Sequence, residues 1–216
     1  MKESLINIFA QDNGLLRITL DDEGNKNALS EVMISQLIEA ISEAKNNKEV
    51  KVIIIASTGN VFCSGHNLKE ITAARNNNDE GASYFKNLFE LCSSLMQLIV
   101  SCPKPVIAEV GGIATAAGCQ LVASCDLAIS SDTAQFATPG VNIGLFCSTP
   151  MVALSRNVSK KEAMKMLLTG DMIDAVEAKR ISLINDYVSE EKLEESVNNL
   201  ALKISKNPSM TVKTGK

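Results

Sequence analysis

Apolar and polar positions alternate in blocks that change period along the chain. Two β-rich runs, Ser4–Ala10 and Gly14–Leu20, flank Asp12-Asn13-Gly14, the residue types of a tight hairpin turn. A polar loop, Asp21–Asn27, follows. Ser30 then stands where an N-cap belongs, and Met33, Leu37, Ile38 and Ile41 recur at helical spacing. Val50–Ala56 is nearly continuous in β-branched residues, which predicts a strand covered on both faces. The pattern turns helical after Cys63-Ser64-Gly65-His66 up to about Ala74, breaks at the Asn-rich Arg75–Asp79, and resumes as a long helix over Ala82–Val100. Pro103 and Pro105 end that helix and open a strand, Val106–Val110. Small residues after Gly111-Gly112 lead into a closely packed helix, Ala116–Ala123, and a buried strand, Leu127–Ser130. Helices at Thr149–Arg156, Lys160–Leu168, Ala175–Arg180 and Glu190–Lys206, with a short strand near Asn185–Val188, complete the pattern. Strands alternating with helices predict an α/β domain with parallel pairing. No internal repeat and no dividing linker stand out. The expectation is one domain over 1–216, with its core at about 4–188 and a helical segment at 189–216.

Composition narrows the function. With 45% hydrophobic and 21% charged residues in 216, the chain falls in the folded globular range. A net charge of -4 and a pI near 5.2 speak against a nucleic-acid partner. The longest uncharged apolar run, Val52–Ala56, is far too short to cross a bilayer. Met1-Lys2-Glu3-Ser4 has no signal-type apolar core, so the expected location is the cytoplasm. The six cysteines contain no C-x-x-C pair and there is one histidine, which leaves no His-based zinc set. The cysteines read as small buried hydrophobes, with Cys63, Cys119 and Cys147 expected beside a pocket and Cys92, Cys102 and Cys125 in packing roles.

The chemistry-bearing segments are turns. Gly111–Gly118 matches neither the dinucleotide nor the P-loop fingerprint. It remains a tight turn into a helix whose first amides point outward, suited to an oxyanion, although close packing alone also explains its small residues. Phe62-Cys63-Ser64-Gly65-His66-Asn67 offers a second set of amides, and Gly65 permits an unusual backbone angle there. Two such turns facing each other would pair their donors on one oxygen. Glu109, a carboxylate within an apolar strand, reads either as a group with a raised pKa or as one reaching a surface or subunit interface. Ser155-Arg156 reads as a solvated helix end.

Taken in order, Asn27-Ala28-Leu29-Ser30, Phe62–Glu70, Lys104–Ala108, Gly118-Cys119-Gln120-Leu121 and Cys125-Asp126-Leu127-Ala128 resemble the crotonase, or enoyl-CoA hydratase/isomerase, superfamily. Ala116–Asp126 with Phe136–Pro150 is similar to one subgroup of it. The resemblance implies a spiral of ββα units, an acyl-CoA thioester as substrate in fatty-acid metabolism, and assembly into homotrimers or dimers of trimers. It implies no cofactor other than the coenzyme A carried by the substrate. On the family pattern the amides of His66 and Ala117 form the oxyanion hole. Lys26, Ala28, Ser64 and Leu68 fall where the family contacts CoA, with Asn67, Pro139 and Cys147 also expected to line the substrate site.

The same resemblance exposes two departures. Hydratases of the family use two glutamates, and here Gln120 and Gly140 stand at those positions. An amide and a glycine cannot exchange protons, so ordinary hydration is not expected. His66 then becomes the candidate to polarise a carboxylate or relay a proton, as in the decarboxylase branch, against the reading that it lends only its amide. The family's terminal helices would begin about where this sequence stops. Two functions stay open: an enzyme that stabilises an enolate or oxyanion, or a non-catalytic acyl-CoA-binding or assembly protein.

Overall fold

A computed structural model describes residues 4–11 and 13–216. Met1-Lys2-Glu3 at the head of the chain, and Asp12 of the predicted turn, lie outside the described residues. The hairpin forms as expected, β1 (Ile6–Ala10) pairing antiparallel with β2 (Leu15–Leu20), Ile6 opposite Leu20. Ser30 caps α1 (Glu31–Asn46), its Oγ accepting from the Met33 amide at 3.1 Å.

From there a ββα unit recurs three times. β3 (Val52–Ser57) and β4 (Val61–Cys63) lead to α2 (Leu68–Ala74) and α3 (Ala82–Ser101). β5 (Val106–Val110) and β6 (Ile113–Thr115) lead to α4 (Ala117–Ser124). β7 (Leu127–Ser131) and β8 (Gln135–Ala137) lead through a 3-10 turn, Pro139–Ile143, to α5 (Ser148–Asn157). First strands of each unit go to one sheet, ordered β1-β2-β3-β5-β7-β10, and second strands to another, β4-β6-β8-β9. Here β9 is Ile173–Asp174 and β10 is Asp186–Val188. The repeat therefore exists in structure although no sequence repeat marks it. Its second strands have only three residues each, too few to show an alternating pattern.

Both faces of the first sheet are covered, as the β3 sequence predicts. Ile53 and Ile55 point into the main core with α1 and α3, while Val52 and Ile54 join Leu15, Ile107 and Ile129 on the other face. That second face is closed by α8 (Glu190–Ser205) through Leu193, Val197 and Ala201. Burying both pleats explains why polar residues are nearly absent from β3. Helices α6 (Lys160–Thr169), α7 (Ala175–Arg180) and α9 (Ser209–Gly215) complete the chain.

Glu109 reaches neither a pocket nor a surface. Arg17 Nη1 donates to its Oε1 at 2.6 Å, and Arg17 Nη2 donates to Asn198 Oδ1 of α8 at 3.0 Å. The carboxylate sits between the first sheet and α8 because that helix covers the face on which the strand's alternation places it. Asp126 is a brace, accepting from the Val106 amide and pairing with Lys216 Nζ, each at 2.7 Å.

Candidate active site

Two turns meet where β4 and β6 end. Gly65 adopts φ +93°, and a Cβ there would stand 2.9 Å from the Ala116 Cβ and 3.2 Å from the Ala117 nitrogen. The turns are thus in contact, and only glycine satisfies both the backbone angle and the spacing. One residue into α4, Gly118 lies so close to the Cys63 carbonyl that any Cβ would overlap it. Three hydrogen bonds fix the approach: Thr115 Oγ1 to Ser64 O at 3.1 Å, Leu29 N to Gly65 O at 2.7 Å, and Ala116 N to Ala137 O at 3.0 Å. They hold Ala116 at φ 51° and ψ -120°, an unfavourable conformation for a residue with a Cβ.

This packing leaves the amides of His66 and Ala117 over. Among the described residues neither donates to any acceptor. Ala117 opens α4, at the positive end of its dipole. Two free donors on adjoining rigid turns form a receptor for an oxygen that gains negative charge.

His66 Nδ1 lies 3.4 Å from the Leu29 carbonyl, the ring meets Phe89 edge-on at 5.6 Å, and Nε2 is buried without a partner. Burial pushes the imidazole below its ordinary pKa, opposed by the Leu29 carbonyl. Gln120, one turn along α4, is buried with Oε1 unpartnered, and Thr138 Oγ1 is a further buried, unpartnered atom. Gly140 has no room for a side chain, since the Cys147 Sγ and the Leu145 carbonyl each lie 2.8 Å from where its Cβ would be. A cavity of about 860 Å³ opens between α3, α4 and α5, with Gln120, Phe89, Met96, Val152, Arg156 and Asn157 among its walls.

The profile of the Enoyl-CoA hydratase/isomerase family matches residues 10–216. The chain belongs to the enoyl-CoA hydratase/isomerase family. It is 47% identical over 216 residues to a Xenopus laevis protein named enoyl-CoA hydratase domain-containing protein 3, mitochondrial, covering all of this chain and 72% of that one. The human protein of that name is 46% identical over 206 residues, 95% of this chain and 66% of its own. The crystal structure of human enoyl Coenzyme A hydratase domain-containing protein 3 superposes with TM-score 0.92 at 44% identity, covering 98% of this chain and 81% of that one. An enoyl-CoA hydratase structure from Mycobacterium smegmatis gives TM-score 0.93 at 42% identity, over 99% and 81%. Within the crotonase superfamily the chain thus falls in the domain-containing protein 3 subgroup. The expected cytoplasmic location is corrected: the frog, rat, mouse and human relatives are all named mitochondrial. That expectation rested on the first four residues alone, and a compartment leaves little mark on the sequence of the folded domain.

Of the remaining expected site residues of this enoyl-CoA hydratase/isomerase family member, Lys26, Ala28, Ser64 and Asn67 lie on or beside the Gly65 turn. The Ser64 amide donates to the Lys26 carbonyl at 3.2 Å, and Ala28 is buried beside the Leu29–Gly65 link. Asn67 caps α2, accepting from the Lys69 amide at 3.0 Å, and Leu68 follows it, 61% exposed. Pro139 opens the 3-10 turn that carries Gly140, and Cys147 precedes α5 with its Sγ accepting from the Gly140 amide at 3.3 Å.

One expectation changes, and two residues show further contacts. Cys63 and Cys119 are sealed in the core, each thiol pushed up to about 12 chiefly by burial, while Cys92 and Cys125 border the cavity. Arg156 stands exposed in the last turn of α5, as expected of a solvated helix end, and also borders the same cavity. Asn27 turns out to be a rivet: its Nδ2 donates to Thr58 O at 3.0 Å and Val61 O at 2.7 Å, and its Oδ1 accepts from the Asp22 amide. The sequence signal for that role was a buried asparagine's need for partners, invisible until the burial is known.

Proposed function

We propose that this chain binds acyl-CoA thioesters, the thioester oxygen accepting hydrogen bonds from the His66 and Ala117 amides. The observation that carries the reading is that two adjoining turns, each held in an uncommon backbone conformation, leave these two donors without acceptors. Such donors stabilise an enolate or tetrahedral oxyanion more than the neutral carbonyl, because charge accumulates on the oxygen they face. Lys26, Ala28, Ser64 and Leu68 would contact the coenzyme A portion, and Asn67, Pro139 and Cys147 the remainder of the substrate. The relatives' names support a mitochondrial place in acyl-CoA metabolism.

The reading separates oxyanion binding from hydration. Gln120 and Gly140 stand where the family pattern has its acid and base, and neither exchanges protons near neutral pH. Enolate-forming chemistry needs only one proton acceptor, and His66 Nε2, buried and without a partner, is the group left for it. The second reading, an acyl-CoA-binding protein without turnover, is favoured by the crowding at Gly140, which leaves no place for a second acid. Exposed Ile143, Leu145 and Phe146 beside that turn are suited to the subunit contacts of a homotrimer.

Calorimetry with acetyl-, crotonyl- and decanoyl-CoA tests binding. Turnover of an enoyl-, malonyl- and hydroxyacyl-CoA panel by wild type and His66→Ala separates enzyme from binder. Absence of binding by every thioester would sink the proposal.

A further inference from the structure

A second cavity, of about 390 Å³, lies where β3 and β5 begin, whereas the amide pair stands where β4 and β6 end. Its walls carry five lysines, Lys45, Lys48, Lys51, Lys104 and Lys213, and no acid. The fold gathers them from separate segments. Ile53 of β3 pairs with Val106 of β5, so Lys51 and Lys104, each two residues earlier, enter the sheet side by side. Lys104 Nζ donates to the Ala44 and Asn47 carbonyls at the end of α1, which brings Lys45 and Lys48 to the same rim. The α9 helix supplies Lys213 and then leads away, since Lys216 pairs with Asp126 on the wall of the other cavity. None of the five lysines makes an ion pair among the described residues. Val50, Pro105, Ile204 and Val212 form an apolar part of the walls.

We infer that this cavity binds a diphosphate or triphosphate group, free or carried by a nucleoside. The chain as a whole carries a net charge of -4, so five unpaired cations about one hollow reverse the sign locally. Walls of a single sign focus the field and concentrate counter-ions between them. Lys45, Lys48, Lys51 and Lys213 are exposed, and an exposed lysine holds a lone anion weakly. A ligand must therefore engage several of them at once. Adjoining phosphates do so, because they place several negative charges close together and an ammonium meets each as a point charge. The hollow has the size of a small-molecule site, and the overall negative charge disfavours a nucleic acid. The site shares no residue with the amide pair or its expected substrate contacts, and it stands independently of the thioester reading.

The test is calorimetry on the full chain at low salt with orthophosphate, pyrophosphate and ADP. Pyrophosphate and ADP should bind about tenfold more tightly than orthophosphate, and raising the salt should weaken both. Tighter binding of ADP than of pyrophosphate assigns a nucleotide, and its absence assigns the free diphosphate. Lys51→Gln combined with Lys213→Gln should weaken binding about tenfold, the scale of two partly exposed ion pairs. Both side chains are exposed, so the unliganded double variant should unfold at the wild-type temperature. Pyrophosphate should then raise the thermal midpoint of wild type more than that of the variant. The inference is overturned if neither pyrophosphate nor ADP binds, or if orthophosphate binds as tightly as they do. Binding that the double variant leaves unchanged also overturns it, because the anion then sits elsewhere on the chain.

Discussion

The amide of Gly140 donates to Cys147 Sγ at 3.3 Å, and the same sulfur lies 2.8 Å from where a Cβ on Gly140 would project. The Leu145 carbonyl closes the other side at 2.8 Å. Overpacking of this kind costs about 1–3 kcal/mol, so Gly140→Ala should lower the thermal midpoint by several degrees. Adding Cys147→Ala should recover part of the loss and no more, because the backbone carbonyl remains. Thermal unfolding of the single and double variants checks this, and an unchanged midpoint in Gly140→Ala would contradict the crowding.

On the proposed reading, in which Gln120 and Gly140 take the places of two proton-transfer groups each worth about 10²–10⁴-fold, hydration of crotonyl-CoA should be below about a hundredth of an active hydratase's rate. Gln120→Glu alone should not restore it, because no second carboxylate fits at Gly140. The measurement is loss of the enoyl absorbance. Substantial turnover by wild type that Gln120→Ala abolishes would show that the amide has a catalytic role after all.

His66 is the sole histidine, so its titration is separable from all others. Burial holds its folded-state pKa below the ordinary 6.5. As pH falls, the unfolded chain takes up the proton first, which favours unfolding. The stability tied to the neutral ring is therefore complete above about pH 6.5 and is lost as pH falls from there through the folded-state value. Denaturant unfolding at about pH 7.5 and about pH 5.5 should show that loss in wild type and a smaller one in His66→Gln. Equal losses in the two proteins would place the slope on other groups.

The Arg17–Glu109 pair ties β2 and β5 to the face under α8, away from the amide pair. Glu109→Ala leaves a buried guanidinium without its carboxylate and should cost about 3–5 kcal/mol, or less to the extent that Glu194, at 3.8 Å, takes over. Acyl-CoA affinity of the folded fraction should stay at the wild-type value. A large affinity change without a stability change would give Glu109 a functional role that its position argues against.

Local signals sufficed for most elements. The β-branched run of β3 needs cover on both faces wherever it packs, and Ser30 before Met33, Leu37 and Ile41 specifies a capped amphipathic helix from local chemistry alone. The order of the motifs around Gly65 and Gly118 identified the family, although the requirement at Gly118, close approach to the Cys63 carbonyl, is a contact that only the fold reveals. Three-residue strands such as β4, β6 and β8 escaped notice, since their pairing energy comes from neighbours distant in the chain. So did the partner of Glu109, which lies 92 residues away at Arg17, and the cavity at Arg156, which exists only where α3, α4 and α5 enclose it. The sequence alone determined which backbone conformations were available at the two turns. Only the tertiary structure decided that the turns touch and leave two amides unclaimed, because contact between distant segments is set by packing rather than by local preference.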